Sequence, residues 1–167
     1  LLDGSAGTKG KLVSGPGFVD QISVTEETAV GTYTFTDSTL ATASETDVLQ
    51  TTVASVSDPL EAEIGEESKI IINGEAFTFA ATDNFGEVKD EIEAKLPGIE
   101  VTIGKDSGNK VSLQISTTAV GSAAELAISD ATGIFAGISV TAGVDATLAA
   151  AGTYGTYEAA GNRITFT

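Results

Sequence analysis

The feature that most constrains this chain is the dipeptide Asn73-Gly74, set between two apolar runs, Lys69–Ile72 and Ala76–Ala80. Asn and Gly both tolerate the positive φ of a type I′ turn, whose twist matches that of two antiparallel strands. The pair therefore predicts a tight hairpin. Beyond it, Phe85, Val88, Ile92 and Leu96 recur at spacings of three and four, and Glu87, Lys89, Asp90, Glu91, Glu93 and Lys95 fill the remaining positions. That spacing places the apolar set on one face of a helix. Asn84, with Glu87 three residues on, has the form of a capping box, and Pro97-Gly98 stops the helix. The helix is expected at about Asn84–Leu96.

Period-two alternation then resumes at Val101 and Ile103, and again at Val111, Leu113 and Ile115, across the polar loop Lys105–Lys110. Leu126–Ile128 reads as a short closing strand. Lys69–Ile128 is thus a β-β-α-β-β unit whose helix needs a sheet to cover its apolar face. Elsewhere Thr32–Thr36 (TYTFT), Val48–Ser55 and Arg163–Thr167 (RITFT) have strand texture, and Gly15-Pro16-Gly17 is turn chemistry between Leu12-Val13 and Phe18–Val24. The echo between TYTFT and RITFT suggests that the two chain ends pair in one sheet. The expected fold class is mainly β (α+β). Residues 1–65 with 138–167 would form a β-rich base carrying an inserted ββαββ domain at 66–137.

Composition narrows function. Eight Lys and Arg stand against 24 Asp and Glu, a net charge of -16. That sign opposes binding to a nucleic-acid backbone and to an anionic membrane surface. No apolar run approaches the roughly 18 residues of a membrane-spanning helix. His and Cys are both absent, which removes Ser-His and Cys-His nucleophilic pairs and the ordinary zinc ligand sets. Two carboxylates suffice for a glycosidase, but among 24 acids some pair always falls close, so proximity assigns nothing. We expect no enzyme, no catalytic residue, no cofactor and no metal ligand.

Three residue groups warrant a second reading. Asp106, Asn109 and Asp130 lie in polar loops and offer oxygen ligands for calcium, but none falls in the D-x-D-x-D-G register, which favours solvated turn residues. Phe77, Phe79 and Phe85 could stack a ligand, although a shared strand face opposite a helix face favours core. Tyr33, Tyr154 and Tyr157 fit either a sugar- or partner-binding surface or half-buried strand positions.

Two stretches resemble bacterial flagellins. Leu1–Gly7 (LLDGSAG) is similar to the point where the helical N-terminal core of those proteins gives way to the variable outer region. Ile70–Phe79 (IIINGEAFTF), the helix after it, Gly98–Thr102, Lys110–Ser116 and the small-residue stretch to Ile128 resemble the flagellin IN motif, which hook-associated and filament-cap proteins share. With no Met and Leu1 at its start, the chain is expected to be a piece of a longer protein. The resemblance implies a secreted, non-enzymatic module on the extracellular flagellum, contributing filament surface, motility and antigenicity. It implies assembly with other flagellin subunits through flanking helices this chain lacks, so that the piece alone is monomeric, with a host receptor or antibody as a further partner. The alternatives are an adhesin-like glycan- or protein-binding module and the outer domain of a hook-associated or cap protein.

Overall fold

The structure, a computed structural model, describes residues 21–24, 35–150 and 157–166. In chain order its strands are β1 (Gln21–Val24), β2 (Phe35–Thr39), β3 (Ala43–Thr46), β4 (Leu49–Ala54), β5 (Ser68–Ile72) and β6 (Glu75–Phe79). The helix α1 (Phe85–Lys95) is followed by β7 (Ile99–Lys105), β8 (Lys110–Val120), β9 (Ile128–Thr132) and β10 (Val140–Thr141). The chain closes with β11 (Thr147–Ala150), β12 (Tyr157–Ala160) and β13 (Arg163–Phe166). Among the described residues the fold is mainly β with one α-helix, as the patterning predicts.

There are two compact units. The first draws on Leu1–Thr42, Val120–Ala123 and Val144–Thr167, the second on Ala43–Ala119 and Ala124–Gly143. The LLDGSAG opening, Leu12-Val13, Gly15-Pro16-Gly17, Tyr33 and Tyr154 lie outside the described residues.

In the second unit the Asn-Gly turn forms as expected. Ile72 faces Glu75 across Asn73 (φ 50°) and Gly74 (φ 85°). Asn73 also reaches β9's approach: its side-chain oxygen accepts from the Ala127 N–H at 2.7 Å, and its own N–H donates to the Ala127 carbonyl at 2.8 Å. The capping box is complete. Asn84 Oδ1 accepts from the Glu87 N–H, and Glu87 Oε2 accepts from the Asn84 N–H, both at 2.9 Å. These bonds satisfy two of the orphan donors at the helix start.

The helix buries Phe85, Val88 and Ile92 completely, with Leu96 half-buried beside them. They join one apolar core with Ile70, Ile72, Phe77 and Phe79 from the sheet β6-β5-β9, and with Val101, Leu113 and Ile115 from the hairpin β7-β8. The helix is therefore shared between two sheets.

β8 organises the larger sheet. β7 lines one edge of it, from Ile99↔Thr117 to Lys105↔Val111, while β4 and β3 pair with the other and β10 extends β3. The register of β4 shifts between Gln50 and Ala54, and Thr51 Oγ1 donates to the Val111 carbonyl at 2.8 Å within that irregularity. β3 lies in a stretch rich in Ser, Thr and Ala, Asp37–Thr46, and is illegible there because its inward residues are hydroxyls. Ser44 and Thr46 are buried, Thr46 Oγ1 accepts from the Ile115 N–H at 3.0 Å, and the Ser44 N–H donates to Thr117 Oγ1 at 3.1 Å. Such positions carry no apolar alternation to read.

The closing strand runs over Ile128–Thr132 rather than Leu126–Ile128. Leu126 is a core residue ahead of the strand, and the register against β5 breaks where Asp130 takes φ 50°.

In the first unit, β1 pairs in parallel with β13, which pairs antiparallel with β12, and β2 pairs with β11. Both chain ends thus meet through β1 and β13. The TYTFT strand does not share that sheet, however: its described part begins β2, beside β11. Short alternating strands of similar composition do not name their partners, because pairing is set by tertiary packing.

Candidate functional site

Asp106 and Asn109 have local structural roles. Asp106 Oδ1 accepts from the N–H groups of Gly108 at 2.8 Å and Lys110 at 2.7 Å, which closes the β7-β8 loop. Asn109 takes φ 56° in the same loop and donates from its side chain to the Ser55 carbonyl at 3.3 Å. Asp130 sits in the irregularity of β9. Among the described residues no cluster of three or more acids, His or Cys is arranged to hold a metal ion.

Phe77, Phe79 and Phe85 are buried, in keeping with the core reading. Phe77 and Phe79 lie with ring centroids 6.2 Å apart and nearly parallel, and Phe79 packs at 6.0 Å on Phe135. Lys95 Nζ stands 5.0 Å from the Phe77 ring centroid and 2.9 Å from Glu91 Oε1. Tyr157, on β12, is exposed. No helix among the described residues is long and apolar enough to cross a membrane.

Two polar constellations escaped the sequence reading. The first lies along the outer side of β7. Glu93 Oε1 accepts from the Val101 N–H at 2.8 Å, Lys89 Nζ donates to the Val101 carbonyl at 2.7 Å, and the two side chains form an i,i+4 ion pair. Both backbone groups that β7 turns away from β8 at this position are thereby satisfied. Burial pushes the Glu93 carboxyl up, but hydrogen bonds from Lys89 and Val101, with the Lys89 charge, outweigh it and hold the group below its ordinary value. The Lys-x-x-x-Glu spacing is readable in sequence, but its target on a distant strand is not.

The second constellation belongs to the first unit. Asp145 Oδ1 accepts from the N–H groups of Gly161 at 2.7 Å and Ser122 at 3.2 Å, and Oδ2 accepts from the Ser122 hydroxyl at 2.6 Å. The Ser122 hydroxyl, then the Gly161 and Ser122 N–H groups, hold the carboxyl below its ordinary range despite some desolvation. Gly121 borders this hub at φ 103°, where a Cβ would lie 2.5 Å from Asp145 Oδ1 and 2.7 Å from the Gly161 backbone. Three separate chain segments meet on one carboxylate. Both arrangements hold backbone in place.

What the described residues define is an architecture: two β-rich units, each discontinuous in sequence, one with a single helix shared between sheets. Solved structures with this fold include outer domains of flagellar cap proteins. The D2–D3 domains of the Serratia marcescens flagellar cap protein match over 83% of this chain and 82% of that chain, with 17% identity and a TM-score of 0.53. The D1–D2–D3 domains of the Escherichia coli flagellar cap protein match over 82% of this chain and 43% of that chain, with 18% identity and a TM-score of 0.52. At these identities the likeness is one of fold. No protein-family profile matches the chain, and none of the curated proteins matches it significantly.

Proposed function

We propose that this chain is the outer, two-domain region of a flagellar cap protein, an extracellular structural module without catalytic activity. The observation that carries the reading is the shared fold with the D2–D3 domains of a flagellar cap protein, which spans most of both chains. Sequence favoured flagellin first, on the LLDGSAG opening, while the hairpin-helix-hairpin signature is common to both classes. The fold favours the cap, which stood among the alternatives. In this role the module associates with other flagellar subunits through regions flanking it. Its acidic surface serves solubility and spacing, without nucleic acid or membrane as partner.

Immunogold electron microscopy tests this on intact cells, with antibody raised against this 167-residue chain. Label confined to filament tips is the expected result. Label along the whole filament would return the chain to flagellin, and cells whose flagella stay unlabelled would remove it from the flagellum altogether.

The same reading treats the helix-bearing unit as an insertion on a base made from both chain ends. The sequence reading puts its limits at 66 and 137, whereas the compact unit of Ala43–Ala119 with Ala124–Gly143 supports wider ones. Limited proteolysis with mass spectrometry separates the two: the wider limits predict a resistant core that retains residues 43–54.

A further inference from the structure

Asn73 and Gly74 close the β5-β6 hairpin, and the same pair carries a reactivity that the turn does not use. An asparagine carboxamide can be attacked by the backbone nitrogen of the next residue, and glycine, lacking a Cβ, leaves that approach open. The chain has four asparagines, and Asn73 alone precedes a glycine; Asn84, Asn109 and Asn162 precede Phe85, Lys110 and Arg163. Asn73 and Gly74 are both exposed. A Cβ placed on Gly74 would meet nothing within 4 Å, so that side of the turn is open to water. Among the described residues the Gly74 N–H has no hydrogen-bond partner. Nucleophile and electrophile are neighbours in solvent.

The carboxamide is nevertheless held. Asn73 Oδ1 accepts from the Ala127 N–H at 2.7 Å, and Asn73 Nδ2 donates to the Glu125 carbonyl at 3.3 Å. The Asn73 N–H donates to the Ala127 carbonyl at 2.8 Å, and Ile72 pairs with Ile128 beside it. The holding segment is itself fixed. Leu126, between the two partners of the side chain, is buried in the same core as Ile72 and Phe77. Attack requires the carboxamide to present its face to the Gly74 nitrogen. That rotation breaks both side-chain bonds, so the reactive geometry is reached only when the clamp opens.

We propose that Asn73 is the deamidation site of this chain, and that its clamp to Glu125 and Ala127 sets the rate. The Gly74 nitrogen, its proton taken by hydroxide, bonds to Asn73 Cγ. The Cγ–Nδ2 bond breaks, and Nδ2 takes a proton from water and leaves as ammonia. Water then opens the cyclic imide at one carbonyl or the other, giving aspartate or isoaspartate. Either product fits the clamp worse. A carboxylate has no N–H for the Glu125 carbonyl and sets negative charge against it. Isoaspartate also routes the main chain through the side-chain carbon, so Ile72 and Glu75 no longer face each other across a two-residue turn. Conversion therefore loosens the joint between the hairpin and the approach to β9. It needs only water, whatever assembly the chain belongs to.

The test incubates the 167-residue chain and an end-capped peptide of residues 71–77 in the same mildly alkaline buffer. Peptide-mapping mass spectrometry and an isoaspartate assay follow conversion. It is expected at Asn73 ahead of the other three asparagines. The folded chain should convert at least about tenfold more slowly than the peptide, since opening gives up two hydrogen bonds. Leu126→Ala loosens the holding segment without removing a clamp bond, and should raise the folded-chain rate at least about threefold, with faster exchange at the Ala127 amide. If that variant fails to fold, low urea on the unaltered chain takes its place, and conversion should rise in step with exchange at Ala127. Equal rates in chain and peptide, or earlier conversion at another asparagine, would overturn the proposal. So would a rate at Asn73 that stays constant, or stays at zero, while the Ala127 amide exchanges faster.

Discussion

Among the described residues, the two units show different kinds of contact. The helix-bearing unit buries a continuous apolar cluster that includes four fully buried Phe side chains, Phe77, Phe79, Phe85 and Phe135. Among the described residues of the other unit, the buried apolar side chains are Ala41, Ala146 and Ile164. The contacts described there are mainly polar: the Asp145 hub, Asn162 Oδ1 accepting from the Ala41 N–H at 2.9 Å, and strand ladders between distant segments. Burial of a large apolar side chain is worth more than a net hydrogen bond and depends little on pH. The comparison therefore teaches where this protein is robust and where it responds to solution conditions.

The largest test strikes the apolar unit. Phe79→Ala should cost about 3–5 kcal/mol, the transfer loss plus the cavity left between Phe77 and Phe135. Urea unfolding followed by circular dichroism measures it, since the chain has no Trp. A loss below about 1 kcal/mol would mean that this core relaxes freely and that the contrast between the units is overdrawn.

Gly121→Ala probes the polar unit. The new Cβ would meet Asp145 Oδ1 and the Gly161 backbone at a φ that disfavours side chains, a penalty of about 1–3 kcal/mol. Hydrogen-exchange mass spectrometry should show lost protection at 120–123, 144–147 and 157–166, with residues 68–79 unchanged. Equal loss in both regions would erase the distinction.

Glu93→Ala asks whether polar groups matter in the apolar unit too. Leaving the Val101 N–H without its acceptor should cost about 1–2 kcal/mol and speed exchange at that amide. Glu93→Gln, which keeps an acceptor, should recover part of the loss.

Acid gives the smallest and most selective effect. The folded-state pKa of Asp145 is depressed, so the native state binds this proton less readily than the unfolded chain. Its contribution is fully present above the unfolded value near about 3.9 and fades as pH falls through the lower folded value. Exchange at the Ser122 and Gly161 amides should accelerate in that window, and Asp145→Asn should remove the dependence. Glu93, also depressed, acts in the same direction at Val101.

How much of this was legible depended on whether the code was local. The I′ turn, the capping box and the helix face rest on residues within four positions of one another, and all three formed where their residues stand. The Phe residues read as core because strand and helix periodicity both pointed inward. The two polar constellations were hidden, since Glu93 acts on Val101 and Asp145 gathers Ser122 and Gly161. Nothing in the sequence around a carboxylate states which distant N–H it will meet. β3 was hidden for a related reason, its inward face being Ser44 and Thr46.

The sequence by itself determined the local elements, the acidic thiol-free chemistry and the composition of the core, because backbone preference and hydrophobic periodicity act over a few residues. Only the tertiary structure decided which strands pair, that one helix serves two sheets, and where a strand edge is shielded. Those outcomes turn on contacts between segments tens of residues apart, where packing geometry selects among partners that composition leaves equivalent.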